Sequence, residues 1–148
     1  MKLFQIEEPD GSPVDPDAPG AAIGLDAGGG AAEVALSVGG NAVALADREG
    51  FEHELPVPPE SASSAAWQEM FEGARVRAER ALARPVTHAV VVLRRPPAAA
   101  DAARLGEAAA AAGLAVLRFC GADELPAGEA PVLAAAMLAE DLAPRPRS

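Results

Sequence analysis

Apolar residues along this chain gather into short blocks of two kinds, continuous runs and runs with a helical period. Ala21 to Asp26 is an almost unbroken apolar run closing on a carboxylate, the pattern of a buried strand. Ala31 to Val38 and Ala42 to Asp47 predict two more strands, with Gly39-Gly40-Asn41 as the turn between them. Trp67, Met70, Phe71, Ala74, Ala78, Ala81 and Leu82 recur at steps of three and four, which predicts an amphipathic helix. Glu69, Glu72, Arg75, Glu79 and Arg80 fill its other faces, most simply as a solvated surface. Thr87 to Leu93 reads as a continuous buried strand. Pro96 and Pro97 then open an Ala-rich helix that ends at Gly113, where a left-handed cap suits only glycine. Leu114 to Cys120 is the next strand. A last helix starts at Pro131, a residue tolerated in a first turn, and runs to about Leu142 before Pro144 stops it.

The predicted order is β-β-β-α-β-α-β-α. A three-strand meander followed by right-handed βα units specifies an α/β, ribonuclease-H-like mixed five-stranded sheet with helices on both faces. Ligands of such sheets lie at the carboxyl ends of the central strands, which places Asp26 on the candidate edge. Residues 1–20 form an extended leader, since positions 7–20 hold four Pro, two Gly and five acids and bury too little to offset ordering entropy. Residues 21–143 are the single domain and 144–148 a loose tail. Residues 48–64, with Pro56, Pro58, Pro59 and a Ser-rich tract, form a connector.

Composition narrows the possibilities. Hydrophobic residues make up 50% of the chain but aromatic ones only 3%, so the core is built from Ala, Val and Leu with backbones packed closely. A formal charge of −10 repels nucleic acid and anionic membrane surfaces. The single Cys120 excludes an internal disulfide and fits a reducing compartment. The longest apolar stretch, Ala108 to Leu117, is too short to cross a bilayer, and the first residues lack a signal-peptide pattern. A soluble, cytoplasmic protein is expected.

Candidate chemistry centres on Ile23-Gly24-Leu25-Asp26-Ala27-Gly28-Gly29-Gly30. A strand ending in Asp and running into glycines lets backbone N–H groups approach an anion while the carboxylate reaches a metal or its water shell. Asp26, Gly28, Gly29 and Gly30 are therefore the candidate phosphate turn, and Asp26 with Glu129 the candidate holders of a hydrated metal. Asp26, Asp123, Glu124 and Glu129 crowding one sheet edge would instead suit a two-metal nuclease. Against that, Arg94-Arg95 follow the fourth strand where a nuclease wants an acid; they bind an anion or, more simply, terminate the sheet. His53 and His88 lie far apart and read as surface or packing residues. Cys120 has no His nearby in sequence and reads as a small core residue.

Several segments, in order, resemble the ATPase domain of the seventy-kilodalton heat-shock chaperones (DnaK-like), most of all the HscA-type branch that serves iron–sulfur cluster assembly. Leu3-Phe4-Gln5-Ile6-Glu7-Glu8-Pro9 is similar to the opening of that branch, and Ile23-Gly24-Leu25-Asp26 with Gly28 to the first phosphate motif of the family. Ala44 to Gly50, Leu55-Pro56, Val86 to Val92 and Ala112 to Arg118 resemble its later segments. The resemblance implies the actin and heat-shock ATPase subdomain. The chain also departs from it. Where the family has two phosphate-facing Thr residues, this sequence has Gly29 and Gly30, and the segment Gly121 to Pro131 is longer and lacks the family's Thr. The family's lysine-bearing subdomain is missing between Leu55 and Ala65, and its second lobe and peptide-binding domain would lie beyond Ser148.

The resulting expectation is a degenerate ATPase lobe acting as a non-catalytic protein-binding or regulatory module. Its partners would be a full-length chaperone or iron–sulfur assembly components, and it would meet neither nucleic acid nor membrane. No catalytic residue, no ATP turnover and no resident cofactor are expected. The alternative is weak binding of ATP with magnesium, the cleft being completed by a homodimer or a partner chain. A self-sufficient foldase is excluded, because coupling nucleotide to client requires two linked sites.

Overall fold

The computed structural model describes residues 20–45 and 54–144. Within them the chain forms β1 (Ala21–Asp26), β2 (Glu33–Val38), β3 (Asn41–Ala44), α1 (Ser64–Leu82), β4 (Val86–Leu93), α2 (Ala99–Ala111), β5 (Ala115–Gly121) and α3 (Pro131–Leu142), with a short 3₁₀ turn at Ala122–Glu124. The strands join in one five-stranded sheet of order β3-β2-β1-β4-β5. β1 to β3 pair antiparallel, while β4 lies parallel to β1 and β5 parallel to β4. This order and pairing is the ribonuclease-H-like plan.

The meander turns on Gly39 and Gly40, whose φ values of 61° and 83° match the tight-hairpin geometry that only glycine adopts freely. β2 begins at Glu33 and not at Ala31. Ala31 instead bridges Pro56, and Ala32 N–H donates to the Leu55 carbonyl, so the connector takes the place of a sheet partner there. The β3 ladder ends at Ala44, with Leu45 N–H still donating to Val34; the expected end at Asp47 lies outside the described residues. The leader up to residue 19, the segment containing Asp47 to Gly50, His53 and residues 145–148 of the tail lie outside them as well.

Each face of the sheet carries its own core. Ile23 and Leu25 point to one side, where α1 contributes Trp67, Met70, Phe71, Ala74 and Ala78 and α2 contributes Leu105, Ala108 and Ala109. Ala22, Val90, Val92 and Cys120 point to the other, against Ala135 and Ala139 of α3. Val132 and Ala136 close that layer over Ala35. The small residues expected of an aromatic-poor core permit an unusually close approach: a Cβ placed on Gly24 would lie 2.4 Å from the Ala136 amide nitrogen.

Helix ends and polar stitches fix the helices in place. Ser63 caps α1 through a bond from Ala66 N–H at 3.2 Å. α2 begins at Ala99, after and not at the proline pair, and Gly113 carries the left-handed φ of 91° beyond its end. Arg75 and Glu79 are not merely a solvated face. Arg75 Nε donates to the Ala112 carbonyl at 2.7 Å, its guanidinium pairs with Glu79, and the other Glu79 oxygen accepts from Val86 N–H at 2.9 Å. That relay ties α1 to the end of α2 and the start of β4. On the opposite face Glu140 accepts from Ser37 Oγ at 2.8 Å, Gly39 N–H at 2.5 Å and Gly40 N–H at 2.9 Å, clamping the β2–β3 turn to α3. Among the described residues no helix is long and apolar enough to cross a membrane.

Candidate functional site

β1 and β4 run parallel and end side by side, with Asp26 opposite Val92. Beyond Asp26 the chain turns: Ala27 N–H donates to the Val92 carbonyl at 2.8 Å, and Gly28 N–H donates to Asp26 Oδ1 at 2.8 Å. Asp26 thus closes an Asx-type turn on its own loop. Of the three candidate phosphate donors, Gly28 is already committed. Gly30 uses its carbonyl to accept from Val57 N–H at 3.0 Å, while the N–H groups of Gly29 and Gly30 donate to no described residue. None of these glycines has a positive φ, so the loop does not form the left-handed cradle that glycine alone could supply.

Between the ends of β1 and β4, the connector and the start of α2 lies a cavity of about 730 Å³. It is lined by Ala27 to Gly29, by Val57 to Ser61 of the connector, by Trp67, and by Leu93 to Ala98 with Asp101, Arg104 and Leu105. Asp26, Gly30 and Glu129 are not in its lining. Its size falls within the range of small-molecule pockets, and its place at the carboxyl edge is where open α/β sheets bind ligands.

The cavity's charges are unevenly engaged. Arg104 acts as a strut, its guanidinium reaching the Ala62 and Glu60 carbonyls at 3.3 Å and lying 3.9 Å from Asp101. Arg95 stands 3.8 Å from Glu60 with both side chains largely exposed, a pair that water screens strongly. Arg94 makes no ion pair or hydrogen bond to a described residue. The arginine pair does follow β4 directly, as a sheet terminator would, but it also faces a hollow, which the sequence did not reveal.

The other candidates disperse. Glu129 is exposed in the loop before α3, on the same edge of the sheet as Asp26 but outside the cavity lining. Glu124 folds back to accept from Gly121 N–H at 2.7 Å, so it serves a local cap. Among the described residues no three His, Cys, Asp or Glu side chains group as a metal site, which overturns the crowded two-metal edge. Cys120 is buried on β5, and burial pushes its thiol pKa up, with Arg118 opposing and Glu124 adding to the rise. That makes it a poor nucleophile. His88 shares a 2.7 Å hydrogen bond with Thr87 Oγ1, and burial lowers its pKa.

No family model and no curated protein matches the sequence. Among solved structures the fold is similar to the ethanolamine utilization protein EutJ from Carboxydothermus hydrogenoformans, at 16% identity and a TM-score of 0.47. The match covers 74% of this chain and 39% of that one, so the chain spans about two fifths of the length of this neighbour.

Proposed function

We propose that this chain is a non-catalytic protein-binding or regulatory module built on an actin/heat-shock type ATPase lobe, acting in the cytoplasm. Its partners would be a full-length seventy-kilodalton chaperone or components of iron–sulfur cluster assembly, as the resemblance of the phosphate-turn, β4 and β5 segments implies. The observation that carries the reading is the state of Asp26. A carboxylate that organises magnesium beside a triphosphate must face the ligand, and phosphoryl transfer depends almost wholly on such positioning. Here Asp26 Oδ1 is held by Gly28 N–H, and the side chain does not line the adjoining cavity. The two hydroxyls of the family motif are replaced by hydrogen atoms at Gly29 and Gly30.

A surface suited to protein contact is also present. Val38 and Val43 are 66% and 51% exposed on the outer hairpin, on the same face as Leu36, which stands opposite Val43. β3 is an edge strand that pairs, among the described residues, with β2 alone, and an edge of this kind binds another chain by strand addition. The test has two arms. Calorimetry with Mg-ATP should give no saturable heat. Co-elution with the purified full-length chaperone, or with the iron–sulfur scaffold protein of the same cell, should occur and be lost in Val43→Glu. Tight Mg-ATP binding abolished by Asp26→Asn, with no co-elution, would establish instead the second reading, a nucleotide-binding protein whose cleft a partner completes. That reading draws on the unengaged Gly29 N–H at the cavity wall.

A further inference from the structure

β3 forms one border of the sheet, and its sequence does little to guard it. Asn41–Ala44 carries no charge, no proline and no bulge, three of the devices that keep edge strands from pairing. Leu45 N–H donates to the Val34 carbonyl, which sets the phase of the antiparallel ladder. Val43 therefore turns its backbone polar groups toward Leu36, while Ala42 and Ala44 turn theirs outward. One face of the hairpin is also uncovered. Ala42 packs with Val132 and Ala136 of α3, so Val43, its neighbour along the strand, points to the opposite side, where Val38 and Val43 are exposed.

The chain itself holds a segment suited to this edge. β1 and β2 are antiparallel, so the amino end of β1, where the described residues begin at Gly20, lies at the same end of the sheet as the Gly39-Gly40 turn. Strands are spaced by about 4.8 Å, so a strand added beyond β3 would run about 15 Å from β1. The acid-free run Lys2-Leu3-Phe4-Gln5-Ile6 is joined to β1 by the 14 residues of positions 7–20. A flexible coil of that length spans about 20 Å, and prolines extend it, so the tether covers the gap at high effective concentration. A strand antiparallel to β3 finishes at the turn end, where that connection must start, so the chain need not cross the sheet. A second copy is a poorer occupant. Two four-residue edges fall far short of the roughly 800 Å² per partner of a stable complex, and each copy carries a charge of −10.

We propose that Lys2 to Ile6 adds to β3 as a sixth, antiparallel strand, with Phe4 and Ile6 over Val43 and Val38, and that it must be displaced before another protein pairs with the same edge. The displacement rests on the docking reading above and regulates that surface; the added strand stands without it.

Amide exchange of the full-length protein, resolved by nuclear magnetic resonance, reads the strand directly. Ala42 and Ala44 N–H should exchange about tenfold or more slowly than in the Phe4→Glu/Ile6→Glu variant, with Val43 N–H protected in both. Val14→Glu, in the connection, should change neither. Nuclear Overhauser effects should join the Phe4 ring to the Val43 methyl groups. Free exchange at Ala42 and Ala44, or protection indifferent to Phe4→Glu/Ile6→Glu, would overturn the added strand. Protection that rises with protein concentration would overturn it too, giving the edge to a second copy. In the co-elution assay Phe4→Glu/Ile6→Glu should hold the partner several-fold more tightly than the parent protein, and equal retention would remove the competition. Absence of co-elution for both proteins would sink the docking reading and the competition with it, while the exchange result decides the strand by itself.

Discussion

Replacing Gly24 by alanine tests the packing on which the whole layer arrangement rests. A Cβ at this position would meet the Ala136 nitrogen at 2.4 Å, the Val132 carbonyl oxygen at 2.7 Å and the Ala135 carbonyl carbon at 2.8 Å. All three are backbone atoms of one helix, so no side-chain rotation relieves the overlap. Ordinary carbon contacts lie at about 3.5–4.0 Å, so α3 must retreat by roughly 1 Å. A gap of that size forfeits about a quarter to a half of each dispersion contact along the seam. Ala135, Ala136 and Ala139, all fully buried there, would lose part of their packing. Overpacking costs about 1–3 kcal/mol or more, against which alanine returns roughly 0.5–1 kcal/mol by restricting the unfolded strand. The expected net loss is about 2–3 kcal/mol, or a Tm lower by about 10 °C for a domain of this size. Urea unfolding followed by circular dichroism should show a lower midpoint with an unchanged slope. The control is Gly29→Ala, where a Cβ meets nothing within 4 Å and the glycine has no positive φ; it should be neutral or slightly stabilising. Equal stability of Gly24→Ala and the parent protein would refute the close seating of α3 on β1.

Three further outcomes follow from other features. Asp26→Ala should cost about 1 kcal/mol by removing the turn acceptor, whereas Asp26→Asn keeps an acceptor oxygen and should cost only a few tenths; a large loss in the Asn variant, read by thermal unfolding, would show that the charge itself is used. Ala83 caps α1 in the left-handed region at φ 54°, so Ala83→Gly should stabilise the protein by about 0.5–1 kcal/mol, measured by the shift in urea midpoint. His88 has its pKa lowered from 6.5 by burial, so the unfolded chain binds the proton more readily than the folded one. Stability is therefore full above pH 6.5 and falls as pH drops toward the lowered folded value. His88→Gln should remove that part of the slope between pH 7 and 5, and an unchanged slope would rule out the assignment.

Much of the fold was legible because its signals were local. β1 and α3 end where the apolar run and the Pro131 and Pro144 punctuation put them, and the Gly39-Gly40 hairpin and Gly113 cap have the backbone their glycines imply. What escaped was set by contacts distant in sequence. Ala31 looks like strand, but its partner is Pro56 in the connector, so the meander's second strand starts late. Arg75 and Glu79 look like surface charges, but the α2 terminus and Val86 meet them across the fold. The site was half legible. Asp26 and the glycines stand at the carboxyl edge as expected, but Asp26 Oδ1 accepts from Gly28 N–H in its own loop, a local Asx turn that the phosphate reading of the same residues passed over. Trp67 reads as one more apolar position at helical spacing, and nothing in the sequence says that its indole nitrogen lacks an acceptor.

The Glu140 clamp also dictates the sequence of events at birth. It joins residues about one hundred positions apart, Ser37 and the hairpin glycines at one end and the final helix at the other. While the ribosome is still extruding the middle of the chain, the early meander has one naked apolar face and an unanchored turn. Loop closure over that span is slow, and partly made sheets stick to one another meanwhile. The newborn protein therefore spends the interval before residue 140 emerges as a client in need of shelter, and truncation anywhere upstream should yield inclusion bodies instead of a smaller soluble fragment.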